Sequence, residues 1–167
     1  MAWSTSNMFQ AWALNPMNGV TGASGAGLPT GYAGLVADTV NCALFGTLTP
    51  DRTVAAASTG YNTGVWVTGS ELTGGTDWVA GGRAVPATKS FAASAGVVTF
   101  ATTTNLTSAA TATITAAFGA LIYDNTITAG TVAKQGVCYL YFGGSQTVTS
   151  GTFSLNWNAS GIFTVTV

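Results

Sequence analysis

The side chains able to do chemistry are few, and their types limit what the chain can catalyse. The 167 residues include five carboxylates (Asp38, Asp51, Glu71, Asp77 and Asp124), four Lys or Arg, two cysteines and no histidine. Without imidazole there is no Ser-His-Asp or Cys-His nucleophile and no histidine-ligated metal. A glycosidase needs two carboxylates facing each other across a sugar bond, and a calcium loop needs oxygen ligands at alternate positions. The five acids are isolated from one another and match neither spacing. The segments Thr49-Pro50-Asp51 and Asp124-Asn125-Thr126 read as turns, in which Asp and Asn bond their own backbone. The Gly-rich run 22–27 lacks the preceding strand, the Lys and the downstream acid of a phosphate loop. Cys42 and Cys138 form no CxxC or zinc spacing. Both sit among apolar residues and read as buried thiols, and a bridge between them stays open because strands distant in sequence often pair. No catalytic, cofactor-binding or metal-ligating residue is expected, and the chain is not expected to be an enzyme.

The overall composition narrows the partners. Charged residues make up 5% of the chain, against about 25% in an ordinary soluble domain. Four scattered cations cannot track a phosphate backbone, so no nucleic-acid partner is expected. Five Trp, eight Phe and five Tyr supply ample material to bury, which argues against disorder. The stretch 90–123 has no charge at all. Its many Thr and Ser alternate with apolar residues, unlike a lipid-facing helix, so no membrane partner is expected. The N-terminus lacks the basic start of a signal peptide. The sequons at Asn105 and Asn158 are of the kind a Thr-rich chain produces by chance.

These residues must be positioned by strands. Residues 1–35 read as an extended N-terminal arm, rich in Trp, Met and Gly. Within it Ser6 can cap a short helix, with Phe9, Trp12 and Ala13 at helical spacing and Pro16 as its stop. The aromatic residues Trp3, Phe9 and Trp12 are its candidate interaction anchors. Residues 36–167 read as a β-sandwich domain. Val40, Cys42 and Leu44 alternate, 63–69 reads as a short strand, 72–86 as a loop with paired glycines, and 96–103 as a strand. Over 111–124, Ala112, Ile114, Ala116, Phe118, Ala120 and Ile122 share one parity, with Thr on the other face. The run 136–144 is apolar on both faces and is expected to be central. Phe153, Leu155 and Trp157 alternate, as do Phe163, Val165 and Val167, and the Asn/Gly connection between these two runs predicts a hairpin. Seven to nine short strands separated by turns predict an all-β, antiparallel, jelly-roll-like sandwich.

An aromatic-rich, charge-poor β domain without a reactive group is most simply structural. It would bind by shape, apolar contact and strand addition at a sheet edge. Nearly uncharged flanks suit identical copies packed side by side, since no like charges need be desolvated. A platform of Trp66, Trp78 and Trp157 would instead suit a host-glycan-binding module, although Trp157 falls on the buried parity.

The segments DTVNCALFGTLTPD (38–51), ELTGGTDWVAGG (71–82), ALIYDNT (120–126) and YLYFGGSQTVTSGTFSLNWNASGIFTVTV (139–167) resemble a family of small virion structural proteins of tailed bacteriophages. The C-terminal segment carries most of the likeness. The resemblance implies a capsid decoration, or cement, protein, seated between capsomers as a homo-oligomer and by analogy a trimer. Its partners would then be itself and the major capsid protein or other virion proteins, with residues 1–34 making the contacts. A tail, neck or head-fibre component is the alternative. Either role implies a place in the virion, on the capsid surface or tail, after assembly in the bacterial cytoplasm.

Overall fold

Long apolar runs on both faces of a strand demand neighbours on both sides, and three such strands set the centre of this fold. The structure, a computed structural model, describes residues 6–9, 31–50, 58–129 and 132–166. Its strands are β1 (Asn7–Met8), β2 (Val40–Phe45), β3 (Glu71–Leu72), β4 (Arg83–Ala84), β5 (Ser90–Ser94), β6 (Val97–Ala101), β7 (Leu106–Thr107), β8 (Ala112–Asp124), β9 (Gly136–Gly151), β10 (Ser154–Leu155) and β11 (Phe163–Thr166). Half the structure is strand, and every pairing between strands is antiparallel. The fold is therefore all-β and sandwich-like, as expected. The main sheet runs β1-β9-β8-β2-β3, with β4 also on β2; β10 pairs β7, and a third sheet runs β11-β6-β5.

The run at 136–144 is central, as its two apolar faces require: β9 has β1 on one side and β8 on the other. Strand β8 shows how far alternation can be trusted. Ala112 and Ile114 are buried while Thr113 and Thr115 are exposed. At Ala116 the backbone turns to φ +56°, and the register with β9 slips between Ile114 and Ala117. The extra residue of this bulge flips the face that follows, so Ala117 is buried and Phe118 only partly so. The single parity expected over 112–122 therefore breaks at the bulge. From Gly119 to Asp124 the strand is buried on both faces, against β2 on one edge and β9 on the other.

Three expectations are corrected and one open alternative is closed. Asn7–Met8 pairs with Tyr139 and Cys138, and Ser6 Oγ accepts the Tyr141 N–H at 2.7 Å, so Ser6 caps no helix; Trp12, Ala13 and Pro16 lie outside the described residues. The segment 63–69 is a tight loop, closed by Trp66 N–H to the Thr63 carbonyl at 2.9 Å. Its alternation is genuine, with Val65 and Val67 exposed around a buried Trp66, but positive φ at Asn62 and Gly64 folds it into a plug rather than a strand. The two C-terminal runs form no hairpin. Their Asn158–Gly161 turn closes, yet β10 goes to β7 and β11 to β6, because each apolar face finds its cover in a different sheet. Lastly, Cys42 and Cys138 lie in one row either side of Ile122, two strands apart. Two strand spacings come to roughly 10 Å, beyond the ~7 Å limit for bridging. Both are free, buried thiols, and burial pushes their pKa values far up.

The arm is tied into the core by one ring. Phe9 is fully buried, edge-on to Trp66 at 5.9 Å and to Tyr139 at 5.7 Å, and Phe45 meets Trp66 at 5.2 Å. Gly136 makes room for it: a Cβ there would come within 2.6 Å of the Phe9 ring and 2.3 Å of the Thr59 carbonyl oxygen. Residues 6–9 thus belong to the same sheet as the domain they were expected to extend from. We expect Phe9→Ala to cost about 3–5 kcal/mol of unfolding free energy, read from chemical denaturation. A loss below about 1 kcal/mol would show that the ring does not hold this seam.

Candidate functional site

The carboxylates are the first place to look for chemistry, and those described fix backbone. Glu71 accepts the Tyr61 hydroxyl at 2.6 Å and the Gly81 N–H on both oxygens, at 3.1 and 3.0 Å. Tyr61 stacks on Tyr123 at 4.7 Å, and the Tyr123 hydroxyl and the Asn41 amide both donate to the Gly81 carbonyl. Burial, then the Glu71 bond, raises the pKa of Tyr61. This knot pins loop 71–82 to β2 and β8. Asp77 accepts the Ala109 N–H. Asp51 lies outside the described residues. Among the described residues no group of three potential metal ligands converges.

Asp38 and Asp124 do meet, although 86 residues separate them in the chain. Asp38 is held by the N–H groups of Ala33 and Gly34 at 3.0 Å. Asp124 takes the Thr126 N–H at 2.9 Å through Oδ1, while its buried Oδ2 has no donor. Burial, then a hydrogen bond with Asp38, pushes the Asp124 carboxyl up to about 7. In its protonated form Asp124 carries no charge to desolvate or to repel the neighbouring acid. The half-buried Tyr32 hydroxyl lies close enough for both acids to raise its pKa, after burial itself. Nothing in the local sequence around either acid signals this contact. It follows from the register that sets Val40 opposite Asp124.

Two surfaces remain open. The first is a cleft of about 700 Å³ between the distal half of β9 and the segment 152–162. Its lining includes the buried Phe153, Leu155 and Ile162, the half-buried Tyr141, Phe142 and Trp157, and exposed amide and hydroxyl residues. Trp157 is fixed at both ends of its residue, its backbone N–H on Asn105 Oδ1 at 3.1 Å and its indole N–H on the Thr104 carbonyl at 2.9 Å. Trp66 and Trp78 are fully buried, so the three-tryptophan platform does not form and only Trp157 reaches an open surface.

The second surface is the β11-β6-β5 sheet. Register sets Phe91, Phe100 and Phe163 in one row, with ring centroids 4.9 Å apart for Phe91–Phe100 and 5.3 Å for Phe100–Phe163. Ala93, Val98 and Val165 form the next row on the same face. Phe100 is buried, but Phe91 is 46% exposed and Val165 38%. No charged residue lies in these three strands. The tight turn at Ala95 and Gly96, both with positive φ, joins β5 to β6 and leaves β5 as an edge.

Of the expected anchors, Phe9 contacts its own core, and Trp3 and Trp12 lie outside the described residues. In sequence the apolar row of the third sheet shows only as Phe163 and Val165 on one face; Phe91 gives no signal, because SFAAS alternates too briefly to read.

The acid pair makes a pH prediction. A carboxyl whose folded pKa lies above its unfolded value of 3.8 contributes stability that is complete at low pH and is lost as pH rises through about 7. Thermal melts should therefore show stability falling between roughly pH 4 and 7 and level above. Asp124→Asn, whose amide can donate to Asp38, should flatten that slope. A slope unchanged in Asp124→Asn would remove the pair as its cause.

Compared with known protein families, curated proteins and solved structures, the chain matches none. What its surfaces can do is therefore argued from their own chemistry.

Proposed function

We propose that this chain is a structural protein of a bacteriophage virion, a capsid decoration protein that associates with copies of itself and clamps neighbouring capsomers. The observation that carries this reading is the uncharged β11-β6-β5 sheet, open-edged at β5 among the described residues, with Phe91 and Val165 exposed in adjacent rows of one face. Monomeric proteins protect their edge strands with Lys, Pro or a bulge. Here β5 reads Ser-Phe-Ala-Ala-Ser and carries none of these. An apolar face beside an unprotected edge suits close packing against another protein surface. With a formal net charge of −1, identical copies face little repulsion. The described carboxylates hold loops, which fits a part that bears load and does not turn over a substrate. The likeness of residues 38–167 to virion proteins supplies the setting.

The test is association and location together. Phe91→Asp combined with Val165→Asp should leave the circular dichroism spectrum unchanged, because both positions are exposed. It should also lower the oligomer mass seen by light scattering and reduce occupancy on particles by about tenfold or more. Counting copies against the major capsid protein separates the two virion roles. Copies on the order of hundreds per particle indicate a shell component, and about six or twelve a neck or tail part, since closed rings set small fixed numbers. An oligomer unaffected by both substitutions would overturn the assignment of this face.

A further inference from the structure

Beyond assembly, we infer that the cleft between β9 and the segment 152–162 is a binding site for a neutral oligosaccharide. Its volume of about 700 Å³ falls in the range of small-ligand sites, roughly 300–1,000 Å³. Its chemistry is that of a sugar's two kinds of surface. A pyranose ring presents patches of C–H that pack on aromatic faces, and an equatorial fringe of hydroxyls that both donate and accept. Trp157 and one of the half-buried pair Tyr141 and Phe142, which as consecutive residues of β9 point to opposite faces, supply the aromatic surface. Gln146, Asn156 and Asn158 supply exposed amides, although Asn158 Oδ1 already accepts the Ser160 N–H at 2.8 Å and Gln146 Nε2 already donates to the Phe142 and Gly144 carbonyls at 3.5 Å; each amide keeps its other polar atom for a ligand. No residue lining the cleft is charged, so a phosphate, a sulfate or a sialic acid would leave water without a compensating partner.

Preorganisation strengthens the case. The two hydrogen bonds that hold Trp157 fix its ring before any ligand arrives, which lowers the ordering cost of binding. The cleft also continues. Ser6, Leu140 and Ile162 line both it and a smaller recess of about 320 Å³ that reaches Met8 and Phe163. A groove in two connected parts suits a chain of sugars better than a single ring. This site uses neither Phe91 nor Val165; it shares with the assembly face only Phe163, at the far end of the smaller recess.

The test probes the full chain with arrayed neutral oligosaccharides (gluco-, galacto- and N-acetylhexosamine chains) beside sialylated, sulfated and uronic-acid counterparts. Hits are titrated by calorimetry and tryptophan fluorescence. The expected result is saturable binding of at least one neutral chain. Trp157→Ala should weaken it by about tenfold or more and Asn156→Ala by several-fold, while Phe91→Asp leaves it unchanged. Should Trp157→Ala fail to fold, Trp157→Phe and Asn156→Ala carry the same comparison. The inference is overturned if no neutral saccharide binds, if only anionic ones do, if an uncharged extended peptide occupies the cleft in their place, or if folded Trp157 and Asn156 variants bind as the wild type does.

Discussion

Cross-strand pairing of β8 with its two neighbours is the constraint on which the rest of this molecule depends. A chain with four basic and five acidic residues has little ionic solvation to draw on, so its backbone must be satisfied by pairing and its aromatic rings by burial. Strand β8 does both. Its last six residues are buried on both faces, with β2 on one edge and β9 on the other. The bulge at Ala116 then redirects the remaining half of the β8–β9 ribbon. Distal β9 consequently lies beside the 152–162 segment, and the gap between them is the uncharged cleft. One backbone irregularity thus links the centre of the sheet to a surface that can bind.

The charged groups that are described work inward. Glu71 ties Tyr61 to Gly81, Asp77 holds Ala109, and Asp38 with Asp124 clasps the 33–34 backbone to the end of β8. Lys134 lies over the Tyr61 ring at 5.3 Å, and Arg83 donates to the Thr107 carbonyl. Much of the outer surface is left to Thr, Ser and Asn, whose hydroxyls and amides are solvated without long-range fields. Such a surface accepts a neutral partner at low desolvation cost. The third sheet adds an apolar face, partly exposed at Phe91 and Val165.

How much of this was legible in the sequence depends on the range of the interaction. Local alternation placed β2, β6 and the first part of β8, because a period of two is a property of the strand itself. The same signal failed wherever tertiary cover decided the outcome. Val65-Trp66-Val67 alternates like a strand, yet it is a plug, since only the Trp66 ring is wanted by Phe9, Phe45 and Tyr139. The C-terminal runs read as a hairpin because their turn is local and well formed, while their true partners, β7 and β6, lie 47 to 69 residues upstream. Phe9 stood out as an aromatic in an uncharged terminus, but nothing nearby marked the space above Gly136 that receives it. The cleft is legible only as a fragment. Trp157 stands out as a candidate for stacking, whereas Tyr141 and Phe142 come from a strand that reads as core.

The central claim is that this protein coheres with its own kind through uncharged surface. Its most direct test is the salt dependence of self-association, followed by sedimentation equilibrium from low to high ionic strength. An apolar, charge-free contact predicts a dissociation constant that stays constant or tightens as salt rises. A monomer at every concentration, or an association that weakens steeply with added salt, would contradict it.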